Sequence, residues 1–239
     1  MGVVGGPKLT TSGLQYLMDP ANKRCYPGSG TTVSDLGEFG FDGTLDGDPV
    51  FSIDNNGVFV LDGSGDEIDL GSRNFGVSAG VTTEFTLTAW IYNTNSSVNA
   101  SYVDIGYESV DGNAGQMMIY NSASSPKQIR FLAYDQNNTR AILGNLSTGV
   151  IENNIWYYIG VRWKASNGTA EGIFDGAPTG ITATSSGMTS LNSRSQVVTI
   201  GSNWAFLNGK IGPVNFYNRY LSDNEIALNW NNTRNRFGK

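Results

Sequence analysis

The sequence contains no histidine. That removes the side chain most used as a general base near neutral pH, the commonest transition-metal ligand, and every Ser-His or Cys-His nucleophile pair. There is one cysteine, Cys25, so no intrachain disulfide can form, and the residue reads as a small packing element. Charged residues make up only 15% against 39% hydrophobic, so polarity falls to Asn, Ser, Thr and Gly, which suit turns and strand faces better than helix interiors. The longest apolar stretch, around Ile155–Val161, is far short of the roughly 18 residues that a membrane span needs. A basic segment followed by an apolar one is missing from the start, where Met1–Ser12 is glycine-rich and polar. No secretory signal is therefore expected, and folding in a cytosol is. A net charge of −6 disfavours nucleic acid as a partner.

What is present is alternation. In Glu84–Tyr92, Phe85, Leu87, Ala89 and Ile91 share one face. In Trp156–Lys164, Tyr157, Ile159, Val161 and Trp163 do the same, leaving Trp156, Tyr158, Gly160 and Arg162 opposite. Further strands are expected over Val58–Leu61, Tyr102–Ile105, Gln116–Tyr120, Gln128–Ala133, Gln196–Gly201 and Lys210–Tyr217, each bounded by turn residues. Asn167-Gly168 predicts a type I′ hairpin between Val161–Ser166 and Thr169–Phe174, and Asp175-Gly176 ends that second strand with the same chemistry. One helix is expected near the C-terminus. Ser222 and Glu225 form a capping box, Leu221 and Ile226 a hydrophobic staple, and Ile226 and Trp230 one face; it is expected across a sheet edge or end. No linker or repeat divides the chain, so the expectation is an arm over 1–12 and one domain over 13–239, an all-β, two-sheet antiparallel sandwich with one short C-terminal helix.

Several segments resemble the concanavalin A-like lectin/glucanase superfamily in its laminin G-like branch. They are Gly13–Leu36 (GLQYLMDPANKRCYPGSGTTVSDL), Phe59–Gly71 (FVLDGSGDEIDLG), Glu84–Ile91, Trp156–Gly176 and Asn208–Gly238. The resemblance implies a jelly roll. The glycine-rich arm, the Tyr-Pro-Gly-Ser-Gly-Thr-Thr opening and the Arg-Phe-Gly end are similar to virion proteins of tailed bacteriophages. That similarity implies a non-enzymatic structural protein, decorating or stabilising a capsid as a homo-oligomer with the major capsid protein as partner. The alternative it leaves is a carbohydrate-binding adhesin on a tail or head fibre.

Three groups of residues carry possible chemistry. Glu67 and Asp69 alternate on one strand as paired glycosidase carboxylates do, but Gly71 and Ser72 stand where the third acid of that pattern would fall, so catalysis is not expected. Asp62 and Asp66, in a segment Asp62-Gly63-Ser64-Gly65-Asp66 that places oxygen ligands at alternate positions, are candidate calcium ligands; Glu67 and Arg73 at the sixth and twelfth places rule out an EF-hand. Related domains carry acidic residues after Gly-x-Ile in the last strand, where this chain has Gly212 and Pro213. Trp156, Tyr158 and Arg162, with Trp204 and Phe206 in a loop, are candidate sugar-binding residues. Their alternative is packing beneath a loop or on another subunit.

Overall fold

The computed structural model describes residues 8–75, 83–106, 116–123, 128–135, 137, 140–145, 151–184, 187–192, 195–202 and 205–239. In chain order the strands are β1 (Leu14–Met18), β2 (Thr32–Val33), β3 (Gly43–Asp46), β4 (Val50–Ser52), β5 (Val58–Asp62), β6 (Glu67–Arg73), β7 (Glu84–Asn93) and β8 (Ala100–Ile105). They continue as β9 (Met117–Ser122), β10 (Gln128–Tyr134), β11 (Arg140–Asn145), β12 (Trp156–Lys164), β13 (Thr169–Phe174), β14 (Ala177–Thr184), β15 (Gln196–Ile200) and β16 (Asn208–Tyr217). The helix α1 spans Asp223–Thr233, and a 3-10 turn over Arg234–Phe237 follows it. Among the described residues, no helix is long and apolar enough to cross a membrane.

The strands form two eight-stranded sheets. Sheet A runs β14-β13-β12-β7-β16-β5-β4, with β1 also paired to β16; sheet B runs β11-β10-β9-β8-β15-β6-β3-β2. All pairings are antiparallel, giving the expected jelly-roll sandwich. Strand alternation decides what lies between the sheets. From sheet A come Phe85, Leu87, Ala89, Ile91, Ile159, Val161 and Trp163; from sheet B come Ile68, Leu70, Ile105, Ile119, Phe131 and Ile200. Each Val, Leu, Ile or Phe among them contributes about 1.5–3 kcal/mol on leaving water.

One turn differs from expectation. Lys164 pairs directly with Thr169, so four residues make the connection: Ala165–Asn167 form a 3-10 turn and Gly168 alone takes the left-handed conformation, at φ 63°. The two-residue type I′ turn lies at Asp175-Gly176, where both residues have positive φ (44° and 85°) between paired Phe174 and Ala177. The two dipeptides carry the same local signal, and strand register determines which one makes the tight turn.

Helix α1 begins as its sequence dictates. The Glu225 N–H donates to Ser222 Oγ, and the Ser222 N–H donates to Glu225 Oε2 at 2.9 Å. Its position differs from expectation. It covers the outer face of sheet A, where Ile226 joins Trp90, Tyr158, Tyr217 and Leu221 in a second hydrophobic cluster. The aromatic residues on the non-core side of β7, β12 and β16 would otherwise face water, and the helix covers them.

Candidate functional site

Trp156, Tyr158 and Arg162, the candidate sugar-binding residues of β12, belong to this covered face and are buried. Trp156 and Tyr158 are 8% and 1% exposed. Phe237 packs on Trp156 (centroids 4.6 Å apart) and stacks on Trp90 at 4.2 Å and 20°. A Cβ on Gly212 would lie 3.0 Å from the Phe237 ring and 3.1 Å from Trp90, so the glycine in the Gly212-Pro213 irregularity of β16 makes room for that stack. The ring faces a sugar would use are occupied by residues some 80 positions downstream, a contact that alternation within β12 does not reveal.

Arg162 is buried as a clasp. It forms ion pairs with Glu171 and Asp223, each at 2.7 Å, donates to the Leu221 carbonyl at 2.7 Å, and lies 4.5 Å from the Tyr220 ring centroid. Arg219 pairs with Glu225 and donates to Ser12 O; Arg236 pairs with both Asp19 oxygens; Lys239 pairs with Asp175. A cleft of about 750 Å³ opens beside Arg162, Arg219 and the start of α1, but the charges lining it are committed to these pairs. Residues 8–12 run along the same helix: Asn232 donates to Lys8 O and Thr10 N–H donates to Asn229 Oδ1. Both ends of the described chain thus lie on the sheet A side.

Asp62 and Asp66 come together with a residue the sequence did not flag, Asp48. One carboxylate oxygen from each lies within 4.8 Å of the others. Asp66 is buried, and its oxygens accept the Asp48 and Asp62 N–H groups at 2.9 and 3.0 Å. A hydrogen bond with Asp66, then the charges of Asp66 and Asp62, raise the Asp48 carboxyl above its ordinary value. Three crowded carboxylates are compatible with a hard cation such as calcium, and would supply only part of its six-to-eight-oxygen shell. Asp48 was invisible in sequence because it stands 18 positions from Asp66 and arrives through the pairing of β3 with β6.

The outer face of sheet B is built differently. Thr44, Asp69, Thr199, Asp104, Met118 and Leu132 lie in one row across β3, β6, β15, β8, β9 and β10. Asp46 and Glu67 stand together in the next row. Asp46 and Thr44 are exposed, Glu67 and Asp69 partly so, while Thr199 and Asp104 are buried. Met118, Tyr120, Leu132 and Tyr134 form an apolar cluster further along this face. Burial, then the charges of Asp69 and Asp46, raise the Glu67 carboxyl, which accepts the Ser202 hydroxyl. Asp69 accepts the Gly71 N–H at 2.6 Å. Gly71, at φ 68°, sits where the pairing of β6 with β15 shifts register, so a bulge interrupts the alternation that a third acid would need. Asp104, within an apolar strand, is a second carboxylate that the sequence did not flag. Trp204 lies outside the described residues; Phe206 is 40% exposed.

The profile of a laminin G family, described as "Concanavalin A-like lectin/glucanases superfamily", matches residues 62–227. A search of curated proteins found no match. Among solved structures, domain 4 of AbnA, a GH43 extracellular arabinanase from Geobacillus stearothermophilus in complex with arabinotriose, superposes with a TM-score of 0.65 at 14% identity, covering 91% of this chain and 98% of that one. The botulinum neurotoxin serotype D binding domain gives 0.67 at 12% identity over 92% of this chain and 51% of that one. Trypanosoma rangeli sialidase in complex with sialic acid gives 0.65 at 17% over 96% and 34%. The chain therefore spans nearly the whole arabinanase domain, about half of the toxin domain and a third of the sialidase. With the profile matched over more than half its length and the sandwich topology in place, the chain belongs to the concanavalin A-like lectin/glucanases superfamily.

Proposed function

We propose that this protein is a non-catalytic structural module of a tailed-phage particle, decorating or stabilising the capsid. In this reading it approaches the major capsid protein with its sheet A side and presents the outer face of sheet B. The observation that carries it is the unequal treatment of the two outer faces. The chain's own C-terminal segment seals one, and residues 8–12 lie along that same side. Docking through the arm over 1–12, whose residues 8–12 lie on that side, would turn the carboxylates and hydroxyls of β3 and β6 outward. The glycine-rich opening and the Arg-Phe-Gly end support a virion setting. Against hydrolysis stand the bulge at Gly71 and the engagement of Glu67 with Ser202. The test is proteomics of purified particles together with a reconstruction of their surface. Presence at stoichiometric copy number, in symmetric oligomers on the shell, is expected; absence from particles would contradict the proposal.

A second reading is favoured by the arabinanase domain and the sialidase, whose structures hold arabinotriose and sialic acid. Here the same outward face of sheet B recognises glycan, its carboxylates accepting from sugar hydroxyls. A glycan array run with and without calcium tests it. Binding that falls after Glu67→Gln or Asp69→Asn, and not after Trp156→Ala, is the expected result; silence on the array under both conditions would reject it.

A further inference from the structure

Between α1 and sheet A, inside the aromatic cluster, lies a group of neutral polar side chains whose hydrogen bonds do not close. Asn215 and Thr88 are cross-strand partners on β16 and β7, and Gly160, next in that row on β12, places no side chain beside them. Asn215 Nδ2 donates to Thr88 Oγ1 at 3.2 Å, while Asn215 Oδ1, fully enclosed, receives no donor. The Tyr158 hydroxyl lies beside Thr88 and Asn229, yet has no hydrogen bond of ordinary geometry. Asn229 is already engaged, donating to Tyr217 Oη at 3.0 Å and accepting from the Thr10 N–H at 2.8 Å. Thr10 Oγ1, beside it, is also buried without a partner. Tyr158, Asn215 and Asn229 are each 2% exposed or less.

An enclosed polar atom without a partner costs about 1–3 kcal/mol, and such atoms are ordinarily satisfied by protein or by internal water. An amide oxygen can only accept, whereas a phenol can donate or accept. A single group serving both would have to donate to the first and bond the second, and Thr10, Thr88, Tyr158, Asn215, Tyr217 and Asn229 are all uncharged side chains. Those requirements describe water and not a metal ion, for which a carboxylate would be expected among the ligands. We propose that an ordered internal water is bound beneath α1, donating to Asn215 Oδ1 and accepting from the Tyr158 hydroxyl, so that a hydrated polar joint ties β12 to β16 under the helix.

The test uses the full chain. In a high-resolution crystal structure, one water peak is expected within about 3.2 Å of both Tyr158 Oη and Asn215 Oδ1. In solution, water-selective NMR should show transfer from a long-lived water to the Thr88 amide proton, and Tyr158→Phe, which keeps the ring, should weaken it severalfold. A dry joint, or a structure in which both atoms are bonded directly to protein groups, would overturn the proposal. If Tyr158→Phe does not fold, the wild-type density and transfer decide alone.

Discussion

The two outer faces of this sandwich begin from similar strands and end in opposite conditions. On sheet A, Trp90, Trp156, Tyr158 and Tyr217 are buried by a helix and tail from the same chain, held by ion pairs at Arg162, Arg219, Arg236 and Lys239. On sheet B, Asp46, Glu67 and Asp69 retain access to solvent, with hydroxyls from Thr44 and Ser202 beside them. On sheet A the aromatic residues of the non-core side thus mark where the fold covers itself, while on sheet B the strip of β3 and β6 remains available beside the buried Met118, Tyr120 and Leu132. The proposed function rests on that strip.

The contrast breaks most readily at sheet A. Trp90→Ala removes the stack with Phe237 and the indole N–H donated to Thr233 Oγ1 at 2.9 Å. It should cost about 3–5 kcal/mol in urea unfolding. A smaller loss, about 1 kcal/mol, is expected for Ser222→Ala, which deletes the helix cap but leaves the cluster intact. The clasp also has a pH signature. Arg219, acting against the desolvation of burial, holds the Glu225 carboxyl at about 2 instead of 4.5, with the Ser222 N–H and hydroxyl adding to the effect. Because the folded value is depressed, the stabilisation is complete above the ordinary value and is lost as pH falls toward the folded one. Melting temperature should therefore drop between about pH 4.5 and 2, with a shallower slope in Glu225→Gln. The smallest change should come from sheet B. Glu67→Gln should leave stability within about 0.5 kcal/mol, since the side chain is partly exposed and the amide oxygen still accepts from Ser202. An equal loss from Glu67→Gln and Trp90→Ala would erase the distinction between the faces.

Local patterns were legible where one element decides them. The core stripes of β7 and β12, the capping box at Ser222 and the overall sandwich could all be read from residues within a few positions of one another. Contacts made over long separations could not. The burial of Trp156 and Tyr158 depends on Phe237 and Ile226, the Asp48–Asp66 contact on β3 meeting β6, and the loop at Asn167 on the register of β12 with β13. The site shifted for the same reason. Aromatic rings opposite a core stripe suggest a binding surface until the segment that covers them is in place.

The most direct test of the division between faces is the orientation of the protein in a reconstruction of the intact particle. The account predicts residues 8–12 and α1 turned toward the shell, with the β3–β6 strip of sheet B facing solvent. A shell contact made through Glu67 and Asp69, with α1 outward, would contradict it.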